Sequence, residues 1–178
     1  INIALLLEKA FQVTIVSKLS EYARAPVLSD DDRKQARDNM GIKTGRWLGL
    51  CPFAGDLHRT HPFGHWLGFL PKATAGNIYE TFFIFGTRSQ SRQINELCDK
   101  ACRPEKVKPL FPSSFRALGA YLERLDAVVT VDSGPLHFAQ ALGIASLGIL
   151  CGGDVQRWFA NVGANDKLIK RGIFHRYP

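Results

Sequence analysis

Short apolar runs that alternate with amphipathic segments are the feature that most constrains how this sequence can fold. Strands are predicted at residues 46–53, 79–85, 127–131 and 146–151, with a short edge strand at 105–108. Helices are predicted between them, at residues 63–74, 89–101, 113–125 and 135–142. Because strands that alternate with helices form parallel sheets, the sequence predicts an α/β fold with helices on both faces of the sheet.

The amino-terminal part of the sequence lacks this alternation. A short apolar helix is predicted at residues 2–11, and Ser29 is predicted to cap a polar helix over residues 30–39. Three aspartates in the first turn of that helix suit the positive end of its dipole. We therefore expect residues 1–44 to form an interdomain linker and helical segment, and residues 45–178 to form the sheet domain. Because the sequence does not begin with Met, we expect a piece of a longer chain.

Composition and charge narrow the class of protein. Apolar residues make up 46% of the chain and charged residues 22%, which is the balance of a soluble globular domain. The 23 Lys and Arg residues outnumber the 16 Asp and Glu residues, and the formal net charge is +7. This excess favours an anionic partner, which is a nucleic acid, a phosphorylated ligand or an acidic membrane surface. The apolar runs are far shorter than the roughly 20 residues of a membrane helix.

The cysteines predict neither a disulfide scaffold nor a metal centre. The chain has 4 of them, and no two form a C-x-x-C pair. Cys51 and Cys151 lie in apolar stretches, and Cys98 and Cys102 are four residues apart on a predicted helix. We therefore expect the cysteines to be reduced and to serve as structural packing residues.

Polar and Gly-rich residues follow four of the predicted strands. They lie at residues 54–61, 86–90, 132–137 and 152–154. Because the carboxyl ends of parallel strands share one edge of a sheet, and ligands of open α/β sheets bind beyond that edge, these residues predict one ligand site.

The exit at residues 132–137 has the sequence DSGPLH and is the most informative of the four. Pro135 suits the first position of a helix, and Gly134 lets a ligand approach the backbone. Free amides at Leu136 and His137, together with the helix dipole, would favour an anion such as phosphate. Two alternatives stay open here, namely simple capping of the helix by the preceding Asp or Ser, and a structural role for the histidine.

The exit at residues 54–61 adds a cation and several histidines. Arg59 suits a bidentate contact with phosphate, although a solvated loop arginine is the alternative. His58, His61 and His65 raise the possibility of a metal site, but no matching Cys or carboxylate pattern follows, and we predict none. The chain also lacks a P-loop, a G-x-G-x-x-G turn and a G-x-S-x-G nucleophile elbow.

Residues 127–150, AVVTVDSGPLHFAQALGIASLGIL, resemble a block in the carboxyl-terminal domain of glycosyltransferase family 9, the ADP-heptose:lipopolysaccharide heptosyltransferases. The similar features are an apolar strand, the motif D-[ST]-G-x-x-H, a helix of small residues and a following strand. Residues 59–66 resemble the family's K-x-W-P-x-x-x-W segment, and residues 152–163 resemble its G-P-T-D-P segment more weakly. The resemblance extends over about residues 46–163.

The resemblance implies a Rossmann-like domain that is one half of a GT-B glycosyltransferase and holds the nucleotide-sugar donor. The residues that it places at the donor are Gly55, Arg59, Gln90, Asp132, Ser133, Gly134, Leu136 and His137. Arg59 stands where the family has a lysine, His61 where it has a tryptophan, and Gln90 near the position of an acidic residue that meets the donor ribose.

The implied reaction is inverting transfer of heptose or a related sugar from ADP-heptose to a lipopolysaccharide core or a similar glycan. No cofactor and no metal are expected. The family's general base is an aspartate of the amino-terminal domain, so we expect no catalytic residue in this chain and supporting roles for Arg59 and Asp132. The expected partners are the nucleotide sugar, the glycan acceptor and the chain's own amino-terminal domain, without nucleic acid.

Two other functions remain as alternatives, a non-catalytic nucleotide-binding domain and an α/β domain that binds nucleic acid. The family implies a bacterial protein in the cytoplasm. A peripheral position at the inner face of the inner membrane is compatible with this. The basic cluster at residues 167–176 would then face anionic lipid, the other domain or solvent.

Overall fold

Strands and helices alternate along residues 27–56 and 59–149, which are the residues that the computed structural model describes. In chain order the elements are α1 (Asp30–Met40), β1 (Trp47–Cys51), α2 (Phe63–Ala75), β2 (Thr81–Phe85), α3 (Ser91–Lys100), β3 (Val107–Leu110), α4 (Phe115–Leu122), β4 (Ala127–Val131), α5 (Gly134–Ala141) and β5 (Ala145–Ile149). Short 3₁₀ turns at Arg88–Gln90 and Pro104–Lys106 precede α3 and β3.

The five described strands form one parallel sheet in the order β3-β2-β1-β4-β5. From β1 the chain proceeds to β2 and β3 on one side, and it then crosses back to place β4 and β5 on the other. Leu48 of β1 therefore pairs with Phe82 of β2 and with Ala127 of β4. The prediction of a Rossmann-like parallel sheet is confirmed, and the strand order reverses between β1 and β4.

Two apolar clusters cover the two faces of the sheet. Phe83 and Phe85 face the cluster that Met40 of α1 and Leu122 of α4 complete. The alternate residues Phe82 and Ile84 face the opposite cluster, which includes these residues of α2 and α3: Trp66, Leu70, Ile94 and Leu97. Because side chains alternate along a strand, central strands such as β1 and β2 contribute to both layers, and helices on both faces are confirmed.

Most element boundaries lie within a few residues of the prediction. The strand at 127–131 is found as predicted. The strand predicted at 79–85 begins at Thr81, because the amides of Glu80 and Thr81 both donate to the carbonyl of Arg46 before the regular ladder starts. The edge strand predicted at 105–108 occupies Val107–Leu110. The predictions for residues 2–11 and 152–154 lie outside the described residues.

Helix α1 begins and ends as its sequence predicts. The Ser29 hydroxyl accepts a hydrogen bond from the Asp32 amide at 3.1 Å, and the Asp32 carboxylate accepts one from the Ser29 amide at 3.0 Å. Gly41 follows the helix with a positive φ of 81°. Ala36 and Met40 lie in the same core cluster as α4, so this helix packs on the sheet domain. A domain boundary at residue 44 stays a prediction.

Among the described residues, no helix is long and apolar enough to span a membrane.

Candidate functional site

A cleft of about 480 Å³ opens where the strands end, at the carboxyl edge of the sheet. Its lining comes from the residues that follow β1, β2, β3 and β4, and it therefore includes the place where the strand order reverses. The lining residues are Cys51, Phe53, Ala54, Gly55, Phe85, Gly86, Thr87, Gln90, Pro112, Ser113, Ser114, Phe115, Leu118, Ser133, Gly134 and Pro135. The cleft volume falls within the range of roughly 300–1,000 Å³ that is typical of small-molecule sites.

Four of the eight residues predicted at the donor line this cleft, namely Gly55, Gln90, Ser133 and Gly134. The others, Arg59, Asp132, Leu136 and His137, lie outside its lining. The structure therefore brings the predicted β1, β2 and β4 exits together but separates the charged side chains from the cleft itself.

Ser133 is buried behind the mouth of the cleft. Its hydroxyl donates to the Val131 carbonyl at 3.2 Å and lies 3.2 Å from the hydroxyl of Thr130. Ser133 is the N-cap residue of α5, but its side chain makes no capping hydrogen bond to that helix. The alternative that Ser133 simply caps the helix through its side chain therefore does not describe this structure.

The expectation of a free amide at Leu136 is wrong. The Leu136 amide donates to the Ser133 carbonyl at 3.0 Å, because the first residues of α5 form a tight turn. The Leu136 side chain is fully buried and would meet any side chain placed at Gly148 of β5. Leu136 is thus a packing residue beneath the helix terminus, and at this terminus the exposed residue that lines the cleft is Gly134.

Asp132 and His137 lie together beside the amino end of α5. The Asp132 carboxylate is buried, and its Oδ1 lies 3.9 Å from Nε2 of the half-exposed His137 imidazole. The pair would become an ion pair when the imidazole is protonated. This places a buried carboxyl group and an imidazole beside Ser133 and Gly134 of the cleft.

Arg59 is exposed on the loop that follows β1, and its amide donates to the Asp56 carbonyl at 3.1 Å. His61 lies on the same loop, and its Nε2 is 2.9 Å from Nδ1 of His65 in the first turn of α2, so one ring donates to the other. The His61 ring also meets Trp66 edge-on at 6.2 Å between centroids. Within residues 27–56 and 59–149, no three His, Cys, Asp or Glu side chains group to hold a metal ion.

Gln90 lines the cleft, and its carboxamide oxygen already makes a hydrogen bond within the chain. Its Oε1 accepts a hydrogen bond from the Thr87 amide at 2.8 Å, which closes a capping box at the start of the 3₁₀ turn. This bond uses one of the two lone pairs of the oxygen, so the second lone pair and the NH₂ group remain for a ligand. A carboxamide held in this way differs from a carboxylate that accepts from two ribose hydroxyls.

Sequence reasoning missed the residues that give the cleft its apolar walls, chiefly Phe53, Phe85 and Phe115. Gly86 lies within the predicted exit at residues 86–90. A Cβ there would lie 2.6 Å from Cδ1 of Ile94 and 2.9 Å from Oε1 of Gln90, so a larger residue would displace both side chains. Attention to the aromatic residue directly after Ser114 would have found one of the missed walls.

A second, larger groove of about 710 Å³ lies at the opposite, amino edge of the sheet. Its lining includes Arg46, Asp126 and Ala145, which stand before or at the start of β1, β4 and β5. Ligand sites of open parallel sheets lie at the carboxyl edge, so the smaller cleft is the better candidate.

A model of the family described as glycosyltransferase family 9 (heptosyltransferase) matches residues 6–171. No curated protein sequence matches the chain.

Several solved structures share the fold. An ADP-heptose lps heptosyltransferase II from E. coli is 19% identical with a TM-score of 0.63, over 85% of this chain and 45% of that one. The E. coli heptosyltransferase WaaC with ADP-2-deoxy-2-fluoro heptose is 18% identical with a TM-score of 0.60, over 82% and 41% of the two chains. A family 9 glycosyl transferase from Veillonella parvula is 18% identical with a TM-score of 0.55, over 68% and 36%. The chain thus spans less than half the length of each.

Proposed function

The chain belongs to glycosyltransferase family 9 (heptosyltransferase), and from this membership we propose that it binds the nucleotide-sugar donor of a glycosyl transfer. The observation that carries the proposal is the cleft between the ends of β1 and β4, with Gly134 of the DSGPLH motif at its mouth and Ser133 buried behind it. In open α/β sheets this reversal of strand order is where nucleotides bind.

The proposed donor is ADP-heptose, and the proposed acceptor is a lipopolysaccharide core or a similar glycan. Support comes from the structural neighbours, one of which is described as an ADP-heptose lps heptosyltransferase and another of which holds an ADP-heptose analogue. A different nucleotide sugar fits the same proposal, because no side chain of the cleft identifies the sugar.

Bond cleavage places negative charge on the departing diphosphate, and the proposal assigns groups of this chain to offset it. Gly134 exposes backbone at the positive end of α5, where an anion is favoured. Arg59, on the loop after β1, supplies an exposed cation from outside the cleft. Stabilising charge that develops in the transition state is the largest contribution a site of this kind makes to the rate.

In this proposal the chain supplies the donor half of the site, and an aspartate of an amino-terminal domain supplies the general base. No cofactor is required. The protein would work in the bacterial cytoplasm, peripherally at the inner membrane where a lipid-linked acceptor lies.

A non-catalytic nucleotide-binding domain is the second candidate function. The observation that favours it is Gln90, because its carboxamide is uncharged and its oxygen already accepts from Thr87, so it would hold a ribose less strongly than a carboxylate. Such a domain would bind nucleotide without distinguishing a nucleotide from a nucleotide sugar.

We expect ADP and ADP-sugars to bind the chain in isothermal titration calorimetry, with weaker binding of short DNA and RNA. Gly134→Asp should weaken ADP binding at least tenfold, because it places a carboxylate where the phosphate would lie. Gly134 is exposed with a φ outside the positive region, and the added Cβ would lie 2.9 Å from the ring of Phe115, an exposed side chain that would have to shift. An acidic residue in the first turn also suits the helix, so the variant should fold.

Ser91→Asp is the matched control, since it adds the same charge at the first residue of α3, outside the lining of the cleft. Unchanged ADP affinity in Gly134→Asp would contradict the site. Tight binding of oligonucleotides that falls steeply with salt, without binding of ADP, would contradict the function.

A further inference from the structure

Phe115 is a large apolar side chain that lines the cleft but belongs to neither hydrophobic core cluster. It is the first residue of α4 and is 67% exposed, whereas the other phenylalanines that line the cleft are half-buried or buried. The helix does not need it, because the Ser114 hydroxyl caps α4 by accepting from the Ala117 amide at 3.1 Å. An exposed aromatic ring at the mouth of a ligand cleft suggests a binding role.

The ring of Phe115 is supported from the α5 side. Its centroid lies 5.8 Å from that of Phe138, with 43° between the ring planes. A ring atom also lies 2.9 Å from the position that a Cβ would take at Gly134, so the ring rests against the backbone at the start of α5. These contacts hold one side of the ring and leave most of its surface open.

The lining of the cleft has no charged side chain among the described residues. It consists of aromatic and aliphatic groups, glycine backbone, hydroxyls and one carboxamide. An uncharged flat ring suits such a lining, whereas a diphosphate suits the mouth with Gly134 and the nearby cation. The nucleobase is the part of a nucleotide sugar that fits this description.

The polar side chains around the ring are largely engaged with one another. The Ser114 hydroxyl is used in the cap of α4, and Oε1 of Gln90 is used by the Thr87 amide. The Thr87 hydroxyl lies 2.8 Å from the hydroxyl of Ser89. The groups that remain to read the edge of a base are uncharged and already anchored by bonds within the chain, so contact with the face of the base supplies much of the affinity.

On the basis of the proposed function, we propose that Phe115 stacks on the nucleobase of the donor and sets the affinity for it. Because the binding free energy gained from stacking grows with the overlapping ring area, purine nucleotides are held more tightly than pyrimidine nucleotides.

The test compares ADP with inorganic pyrophosphate in calorimetric titrations of the 178-residue chain. Phe115→Ala should weaken ADP about tenfold, in line with the loss of one base–aromatic stack, and should change pyrophosphate less than about twofold. Phe115→Trp should retain ADP binding, and Phe115→Leu should fall between the two. Ile78→Ala, which removes another exposed apolar side chain away from the cleft, is the control. Circular dichroism melts check that each variant folds.

Equal ADP affinity in Phe115→Ala and the native chain would overturn the stacking role. Equal losses for ADP and pyrophosphate would overturn it as well, since they would indicate a general effect on the site. If Gly134→Asp abolishes ADP binding while Phe115→Ala does not, the stacking role fails and the proposed function stands. If the native chain binds neither ADP nor pyrophosphate, both fail.

Discussion

At the scale of single residues, the rim of the cleft is ordered by hydrogen bonds within the chain. The Ser133 hydroxyl, the Leu136 amide and the Gln90 carboxamide oxygen all have partners in the same chain. Such contacts fix the backbone before a ligand arrives and reduce the entropy lost on binding. Sequence reasoning identified these positions but assigned their polar groups to the ligand, because tight turns that consume an amide or a hydroxyl leave no mark in residue spacing.

Cys51 offers a residue-scale test of how closed the floor of the cleft is. Burial raises the pKa of the Cys51 thiol to about 12, although a hydrogen bond with Thr130 opposes the shift. At pH 8 about one Cys51 in ten thousand would be thiolate, and only the thiolate reacts with alkylating agents. Cys102 is exposed, so iodoacetamide at pH 8 should modify it at least about a hundredfold faster than Cys51.

Peptide mapping by mass spectrometry measures the two rates separately. In concentrated urea the two thiols should react at similar rates, which controls for local sequence. Similar rates in the folded protein would show that the floor of the cleft opens readily.

At the scale of elements, local chemistry predicted most of the structure. Ser29 followed by three aspartates predicted the start of α1. An apolar run bounded by Asp126 and Asp132 predicted β4 with the bounds that the structure has. The short strand β3 has Lys108 and Pro109 exposed, which suits its position at the edge of the sheet. Its predicted bounds were two residues too early, because a 3₁₀ turn at Pro104–Lys106 comes before the strand.

The capping box of α1 gives a prediction at this scale. Ser29→Ala should lower the free energy of unfolding by about 1 kcal/mol, because it leaves the Asp32 amide without its acceptor. Hydrogen bonds from the Ser29 hydroxyl and amide lower the pKa of the Asp32 carboxyl. A depressed carboxyl pKa stabilises the fold above the ordinary pKa and loses that contribution as the pH falls. The effect of Ser29→Ala should therefore be smaller near pH 3 than at pH 7.

Urea unfolding followed by circular dichroism measures the difference. Ser113→Ala is the control, since Ser113 is exposed and caps no helix. An equal change in both variants, or none at Ser29, would show that the box does not stabilise the protein.

At the scale of the whole molecule, the strand order could not be predicted from the sequence. Alternation of strands and helices implies a parallel sheet, but β1, β2 and β4 are all apolar runs of similar length, and nothing in their composition places β4 beside β1. Packing explains why glycine occupies position 49 in the central strand β1. A Cβ there would lie 2.5 Å from the side chain of Leu125, which precedes β4. The reversal of order beside this glycine brings the exits of β1 and β4 to one cleft.

Helix α1 and the sheet should unfold together, although the sequence suggested a boundary at residue 44. Met40 packs in the same core cluster as Leu122, and Nε of Arg33 donates to the Glu123 carboxylate at 2.8 Å. Some amides exchange only when the whole domain unfolds. A ligand that binds only the folded state, at a concentration of a hundred times its dissociation constant, slows the exchange of these amides about a hundredfold. Saturating ADP should therefore slow hydrogen exchange of the most protected amides in α1 and in β1 by the same factor, although α1 does not line the cleft.

Hydrogen–deuterium exchange with mass spectrometry resolves the two elements. The Gly134→Asp variant under the same ADP concentration controls for effects that do not pass through the cleft. Slowing confined to β1 would mean that α1 unfolds on its own, and residues 27–44 would then behave as the linker that the sequence suggested. Equal slowing would place α1 in the same cooperative unit as the nucleotide site, because binding energy gained at the strand exits would then stabilise the packing of the helix on α4.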